Sequence, residues 1–533
     1  MSNILNYRMS NNMIGRLVLS SRNLYKIHST NEKLVSARKC YILSENTSDL
    51  LVQTNKEFNP KDIYVKLNNQ INTSTISQTS PIYQIDQILG TIGDLQDDLN
   101  IFHYLYTKDW MSNFKYKKLW EDIGFDPTYD YLIENRINYQ NQVITIDPLG
   151  SIDLDDGFSF RSDESNYYLD IHIADPTSYF NFSNPLMIKI FIEFINRINT
   201  CYIPNSKGSN QPIHLLPEQI IKYISLLETT REIPTRRAIT FLFIINKKTN
   251  EISYQVQYTL LSNIINKTYE QFDLEINKNI IDKQELINLV NCFIKNMGLR
   301  YRSIEFDEDI SHKMIEIFMI WVNCYAGNFM LKNQAHKLIV RSQDKKDLPE
   351  DFEKIPDYCI NFLAYSANYK IILNNESEEH YSLNVSNYCH VSSPMRRVVD
   401  MLNHLLINKH GKNDFDIDQF ILNHVNIDKI NNKIKIQRKI SNAYELVKIL
   451  KTNKTFKACV MDLKFKDDIT YGLLVVCTKI LIDGIETELK KMVNVEIPKT
   501  FGIIHRFQEL DIELHYNSIN YKNNKFPFSI KIL

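Results

Sequence analysis

The stretch from Ile144 to Phe160, ITIDPLGSIDLDDGFSF, places Asp147, Asp153, Asp155 and Asp156 within ten positions. Two carboxylates ~4 Å apart repel by about 4 kcal/mol at an effective dielectric near 20. A fold that gathers four of them must therefore bind cations or keep protons on some. The flanks, Val143 to Ile146 and Phe158 to Phe160, are apolar or aromatic and anchor the cluster to a core. Pro148 and Gly150 let the chain turn between Asp147 and the later group. In an extended segment Asp153 and Asp155 share a face, and Asp156 points away unless the chain bends. Gly157 follows at once and is expected to supply that bend.

Three chemistries compete for such a cluster. A divalent-metal site for phosphodiester hydrolysis suits it, because hard Mg²⁺ prefers carboxylate and water oxygens. Two such ions can activate the attacking water and stabilise the leaving oxygen. A calcium loop of the EF-hand type fits poorly: counting from Asp153, position 5 is Gly157 and position 6 is Phe158, so the glycine is misplaced. A solvated acidic turn is the bland alternative, and the apolar flanks oppose it. Spacing alone leaves the first and last readings open.

A second constellation is cationic. In the segment SSPMRRVVDMLNH, Ser393 and Pro394 are predicted as an N-cap and first helical position. Met395, Val399, Leu402 and Leu406 continue the apolar face of that helix. Arg396 and Arg397 would then occupy the first turn, where the helix dipole disfavours cations. A bound phosphate would account for them; a salt bridge to Asp400 is the alternative.

The elements that must position these groups are set by a 533-residue chain, long enough for three or four domains. Hydrophobic residues at 44% and charged residues at 23% fit a folded globular protein. No stretch looks long and apolar enough to cross a bilayer. The net charge of −1 argues mildly against a nucleic-acid binder, although a balanced total can hide a basic channel. One candidate for such a channel is the run Lys433, Lys435, Arg438, Lys439, Lys448, Lys451, Lys454 and Lys457, which could track phosphates or be a solvated helix face. The eight cysteines form no CxxC pair and no zinc spacing, which suggests a reduced intracellular protein. Residues 1–31 lack acids but carry Arg8, Arg16, Arg22 and Lys26, a pattern shared with organellar transit peptides. The alternating segment Gly15 to Ile27 reads instead as the first strands of a domain.

The first ~125 residues read as short strands (Arg16 to Leu19, Tyr41 to Ser44, Leu50 to Thr54, Ile63 to Leu67, Ile82 to Leu89) separated by turn chemistry, with a polar loop at Thr73 to Pro81. That spacing suggests one or two small barrels. The middle mixes buried strands, Ile171 to Ile173 and Ile239 to Ile245, with helical patterns at Met187 to Ile198 and His312 to Leu331. From about Phe456 the chain returns to some five strands, as in an OB-type barrel that binds single-stranded nucleic acid.

These residues resemble the catalytic domain of the ribonuclease II and ribonuclease R (RNB) exoribonuclease family. The family hallmark is TIDP, a short spacer, then D-x-DD; here Thr145-Ile146-Asp147-Pro148 precedes Asp153-Leu154-Asp155-Asp156. IHIADPTSY (Ile171 to Tyr179), CYIP (Cys201 to Pro204), IHLLPE (Ile213 to Glu218), IEIFMIWVN (Ile315 to Asn323) and YCHVSSPMRRVVDMLNH (Tyr388 to His404) follow in the family's order. IDQILGTIGD, Ile85 to Asp94, looks like the end of its second cold-shock barrel. The resemblance implies an α+β multidomain protein, with a mixed α/β RNB catalytic domain flanked by small OB-type β-barrels. The expected boundaries are 1–125 for one or two degenerate OB or cold-shock-like barrels, 126–445 for the catalytic domain and 446–533 for the C-terminal barrel.

The activity so implied is processive 3′-to-5′ hydrolysis of single-stranded RNA to nucleoside 5′-monophosphates; a catalytically inactive RNA-binding member of the fold is the alternative. Asp147, Asp153, Asp155 and Asp156 would hold Mg²⁺, with Mn²⁺ as a substitute, and Arg396 would be the catalytic arginine. RNA binding would fall to Tyr202, stacked on the 3′-terminal base, to Glu316 near the terminal ribose, and to Arg397. Ile317 stands where the family has a second acid, and Val398 where it has a tyrosine. Gly157 replaces an alanine, the second base-clamping aromatic has no evident counterpart, and Lys267 to His312 looks shortened. Asp175, His172, His390 and His404 belong to the motifs, the histidines read as packing or hydrogen-bonding residues. The implied partner is single-stranded RNA with a free 3′ end, with a helicase as an open option. A cytoplasmic monomer without membrane association is expected, with organellar import as the alternative.

Overall fold

The computed structural model describes residues 13–28, 34–43, 50–67, 82–107, 122–202, 212–278, 282–297, 310–333, 337–345, 352–362, 366–373, 376–408, 416–466, 469–482, 485–497, 504–516 and 528–533. The expected loop Thr73 to Pro81 and Pro204 of the CYIP motif lie outside them, as do 279–281 and 298–309 of the shortened region.

The N-terminal strands β1 (Met13–Leu17), β2 (Tyr25–His28), β3 (Leu34–Ile42), β4 (Leu50–Gln53), β5 (Ile63–Leu67) and β6 (Ile82–Thr91) form one sheet in the order β1-β5-β6-β4-β3-β2. β1 also pairs with β3, which closes five of these strands into a ring with β2 added outside β3. Closure removes free edges. Helix α1 (Leu95–Thr107) follows the last strand.

The central sheet holds β7 (Arg136–Tyr139), β8 (Val143–Ile146), β9 (Asp156–Ser162), β10 (Asn166–Ala174), β11 (Arg236–Asn246), β12 (Ile252–Leu261) and β13 (Ile264–Lys267) in the order β13-β8-β9-β10-β11-β12-β7. β10 and β11 are buried on both faces, which is why their apolar runs are nearly continuous. Helices α2 (Pro185–Arg197), α3 (Glu218–Ile224), α4 (Tyr269–Asn277), α5 (Lys283–Met297), α6 (Ile310–Lys332), α7 (Val398–Asn408) and α8 (Ile417–His424) accompany it, and most contribute to one core. Two short pairs, β14 (Lys337–Ser342) with β15 (Asn368–Leu373) and β16 (Glu379–His380) with β17 (Val385–Ser386), lead toward α7. A buried brace locks the start of the sheet. Arg136 donates Nη2 to Asp175 Oδ2 at 2.7 Å and Nε to Asp130 Oδ2 at 2.5 Å.

The expectation that no stretch is long and apolar enough to cross a bilayer fails at α6. Its 23 residues satisfy the length and composition of a bilayer span. Two thirds of its most apolar stretch is buried within the protein, and Phe318 and Trp321 are fully enclosed. A helix apolar all round is what the interior of a large domain demands.

Helix α9 (Ile427–Ile449) then leads to a closed OB-like barrel of β18 (Thr455–Lys466), β19 (Ile469–Ile482), β20 (Ile485–Ile497), β21 (Glu509–Tyr516) and β22 (Phe528–Ile532), ordered β18-β19-β20-β22-β21. One apolar cluster joins the parts: Tyr64 of the first barrel, Leu99 of α1, Cys201, Tyr444 and Val447 of α9, and Phe456 and Val495 of the last barrel.

Candidate active site

The aspartate loop is built by its apolar members. After β8 the chain turns through Pro148 to Ser151, with the Ser151 amide on the Pro148 carbonyl at 3.1 Å and Gly150 at φ +84°. Leu154 is buried; its amide donates to Ser225 Oγ at 2.9 Å and its carbonyl accepts from the Leu226 amide at 3.0 Å. With Leu154 pinned inward, the neighbouring Asp153 and Asp155 are directed to the other side. Gly157 does not supply the expected bend. It lies inside β9, paired with His172, and a Cβ there would meet Val143 Cγ1 at 2.9 Å and the Ile144 carbonyl oxygen at 3.2 Å. Its function is close approach of β8 to β9, and the loop itself, ending at Asp155, lets Asp156 join the group.

The arginine loop comes from the far side of the fold. Asn323 of α6 holds it: the Asn323 side-chain amide donates to the Tyr388 hydroxyl at 3.1 Å and to Ser392 Oγ at 3.2 Å, and its carbonyl accepts from the Val391 amide at 2.8 Å. The helix expected from Ser393 begins only at Val398. Arg397 instead bridges to Asn199, the Thr200 amide donates to the Arg396 carbonyl at 3.0 Å, and the Val398 amide to the Ile198 carbonyl at 2.8 Å. One turn does wind here, with the Arg396 and Arg397 amides on the Ser393 carbonyl at 3.3 and 3.0 Å, but the bridge to Asn199 interrupts it, so Arg396 and Arg397 precede the continuous helix rather than occupy its first turn. The salt bridge to Asp400 belongs to Arg397, at 2.8 Å, and the Asp400 carboxylate also accepts the Ser393 amide.

Arg396 reaches the aspartates. Its Nε lies 3.4 Å from Asp155 Oδ2, and the Met395 amide donates to Asp155 Oδ1 at 2.8 Å. Asp153 Oδ2 faces His214 Nδ1 at 3.3 Å. Burial, then the charges of Asp156 and Asp153, push the Asp147 carboxyl up to about 8 against the opposing pull of Arg396. Burial lifts Asp156 to about 6 against Arg396 and Arg397. Burial also raises Asp155 well above the ordinary carboxylate range, although Arg396 and the Met395 amide oppose it. These carboxyls therefore influence one another and lie in a shared field.

Oxygen-only donors of this kind fit a hard divalent cation. Asp153 Oδ2 and Asp155 Oδ2 are buried without a hydrogen bond, a condition that a cation would relieve. Among the described residues no three His, Cys, Asp or Glu side chains converge as a preset metal cage.

Residues 136–413 match the RNB domain family. The chain belongs to the RNB family. Ribonuclease R of Chlamydia pneumoniae is 24% identical over 370 residues, covering 57% of this chain and 51% of that protein. The chain spans about half the length of the curated relatives it matches. The fold is similar to Mycoplasma genitalium RNase R in complex with ribose methylated single-stranded RNA (TM-score 0.64, 14% identity, 98% of this chain and 90% of that one). It is also similar to yeast Ssd1, a pseudonuclease (TM-score 0.55, 13% identity, 92% and 67%).

Around this RNB centre the other candidate residues separate by exposure. Tyr202 is 55% exposed as a whole, while crowding around its hydroxyl, and then the nearby charge of Asp153, raise that group's pKa. It follows Cys201, which bridges to Ile213 and so sets Tyr202 beside the arginine loop. Glu316 is exposed on α6, one turn beyond His312. Arg397 is committed to Asp400 and supports the loop more than it offers free charge. His172 lies between Thr240 Oγ1 (2.8 Å) and Ser159 Oγ (3.3 Å), His390 on the Tyr369 hydroxyl (2.7 Å) and His404 on the Val391 carbonyl (2.7 Å), all hydrogen-bonding as expected.

Two neighbours escaped the sequence reading. His214 sits inside the IHLLPE motif, and its position in that motif was the available signal. Tyr269 opens α4, stacks on His312 with ring centroids 3.6 Å apart, and is pushed up to about 12 by burial and then by Asp156 and Asp147. Among 30 tyrosines it carried no local mark.

Proposed function

We propose that this chain hydrolyses single-stranded RNA from a free 3′ end and releases nucleoside 5′-monophosphates, with Mg²⁺ held by Asp147, Asp153, Asp155 and Asp156. The observation that carries this reading is the approach of Arg396 to the buried Asp155, beside the half-buried Asp147, Asp153 and Asp156. When bound, divalent ions supply an activated water and a counter-charge for the leaving oxygen. The chain's own residues do the rest. Asp155 is oriented by the Met395 amide, so its second oxygen stays directed at the site. The Arg396 side chain is 44% exposed and can turn from Asp155 to charge developing on the scissile phosphate. The exposed ring of Tyr202 offers a face for the terminal base, a contact indifferent to sequence. Glu316 and Tyr269 lie on the flank where a ribose 2′-hydroxyl would be read. The single-stranded RNA held by the Mycoplasma protein of this fold supports such a substrate.

The test is 5′-labelled single-stranded RNA incubated with the purified chain in Mg²⁺ or in EDTA, with a 3′-phosphate-blocked control. Progressive shortening in Mg²⁺, absent in EDTA and slowed by the block, is expected. The likeness to a pseudonuclease favours a second reading, an RNA binder without hydrolysis. Tight binding with intact RNA after long incubation in Mg²⁺ would select it.

A further inference from the structure

The aspartate loop faces one side chain that is not a carboxylate. Residues 213–226 brace that loop at two places. At one end Cys201 and Ile213 exchange backbone hydrogen bonds, each at 2.9 Å, and the Leu215 amide donates to Thr200 Oγ1 at 3.1 Å. At the other end Ser225 and Leu226 hold the two backbone groups of Leu154. Leu215 and Leu216 are buried in the core. His214, between these anchors, meets the loop instead, with Nδ1 3.3 Å from Asp153 Oδ2.

This contact is not a hydrogen bond. Both atoms are enclosed, and neither has a hydrogen-bond partner. The His214 side chain is only 5% exposed. Asp155 Oδ2, two residues along the loop, is enclosed and unpartnered as well. Native folds satisfy nearly all buried polar atoms, because leaving them bare is costly. A neutral imidazole keeps a lone pair on one nitrogen. With that lone pair on Nδ1, nitrogen and carboxylate oxygen face each other as two electron-pair donors, which a shared cation would reconcile. Two ligands at right angles on an octahedral ion, each ~2.1 Å from it, stand about 3 Å apart. The observed 3.3 Å is close to that spacing. Such a pair occupies one side of an ion and leaves the other positions to water and a phosphate, so a complete cage of protein ligands is not required. Imidazole suits first-row transition ions, whereas Mg²⁺ keeps to oxygen.

We propose that His214 is a nitrogen ligand to a divalent ion shared with Asp153, and that it biases the centre towards Mn²⁺ over Mg²⁺. This rests on the reading of the aspartate group as a divalent-metal centre, and it names the ion which that centre prefers.

The test uses the whole tag-free chain without RNA. Mn²⁺ binding is followed by the loss of the free-ion electron paramagnetic resonance signal, and competition with Mg²⁺ gives the ratio of the two affinities. Electron spin echo modulation of the bound Mn²⁺ reports a directly bonded nitrogen. Wild type, wild type grown with ¹⁵N-labelled histidine, His214→Gln and His214→Asp are compared, each with its melting temperature in EDTA. Wild type should show nitrogen modulation that changes from the ¹⁴N to the ¹⁵N pattern on labelling. His214→Gln should lose the modulation and bind Mn²⁺ about ten-fold more weakly. His214→Asp should bind both ions without the modulation, with its preference moved towards Mg²⁺. Wild-type protein that binds Mn²⁺ with no histidine nitrogen would overturn the proposal, and that measurement needs no variant to fold. Modulation that persists in either variant would overturn it equally. Wild-type protein that binds neither ion would instead refute the metal centre of the proposed function.

Discussion

Arg396 and Asp155, far apart in sequence, meet with Nε 3.4 Å from Oδ2, and the residue preceding the arginine donates its amide to the same carboxylate. One loop thus delivers both the cation and the hydrogen bond. In Asp155→Asn the side-chain carbonyl can still accept the Met395 amide, so the loop should keep its place. The expected result is loss of RNA shortening on a denaturing gel, with RNA affinity within a few-fold of wild type. Wild-type hydrolysis by this variant would remove Asp155 from the site.

Arg396→Gln removes a charge aimed at the phosphate without opening the core, since the side chain is 44% exposed. Loss of one such group costs about 10²–10³ in kcat. We expect that drop in single-turnover rate while the melting temperature stays put. An equal loss of affinity and no change in rate would make Arg396 a binding residue only.

The raised carboxyls fix a pH dependence. Asp147 near 8 and Asp156 near 6 hold protons in the metal-free fold that an unfolded chain releases near pH 4. Their contribution to stability is therefore fully present below pH 4 and is lost as pH rises through 6 to 8. Asp147→Asn should melt several degrees above wild type in EDTA at pH 8, and the gap should close near pH 4. Mg²⁺ should stabilise the wild type more at pH 8 than at pH 5, because the ligands must be deprotonated. Identical melting curves at both pH values would contradict the coupling.

Asp175 behaves in the opposite sense. Burial alone would raise it, but Arg136, through charge and hydrogen bond, together with His404 and Thr177, holds it below the ordinary value. Its stabilisation is present above the unfolded pKa near 4 and disappears as pH falls through the lower folded value. Asp175→Asn leaves the buried Arg136 short of a counter-charge and should cost about 3–5 kcal/mol in urea titration at pH 7. A change under ~1 kcal/mol would show that Asp130 suffices.

Gly327 on α6 carries the loop's support. A Cβ there would lie 2.0 Å from the Asn387 carbonyl oxygen. Gly327→Ala should destabilise by about 1–3 kcal/mol through overpacking and slow hydrolysis by shifting the loop that ends at Arg396. Unchanged melting would mean that the helix and loop separate easily.

The residues alone determined much of this. Four aspartates within ten positions cannot escape one another, and Pro148 with Gly150 marks the turn between Asp147 and the rest. The apolar runs Ile171 to Ile173 and Ile239 to Ile245 marked β10 and β11, and the apolar flanks of the aspartate segment marked its anchorage in the core, because burial writes itself into the chain. Tertiary structure decided the partners. The segment Ser393 to Arg397 has the local signals of a helix start and forms one turn, but pairing with Ile198 to Thr200 takes the Arg396 carbonyl and the Val398 amide and delays the continuous helix to Val398. Arg396 consequently faces Asp155 and leaves Asp400 to Arg397. His214 and Tyr269 are equally invisible locally, since their neighbours arrive from distant strands and helices. Periodicity records which side of an element is buried; it holds no record of which remote side chain will meet it there.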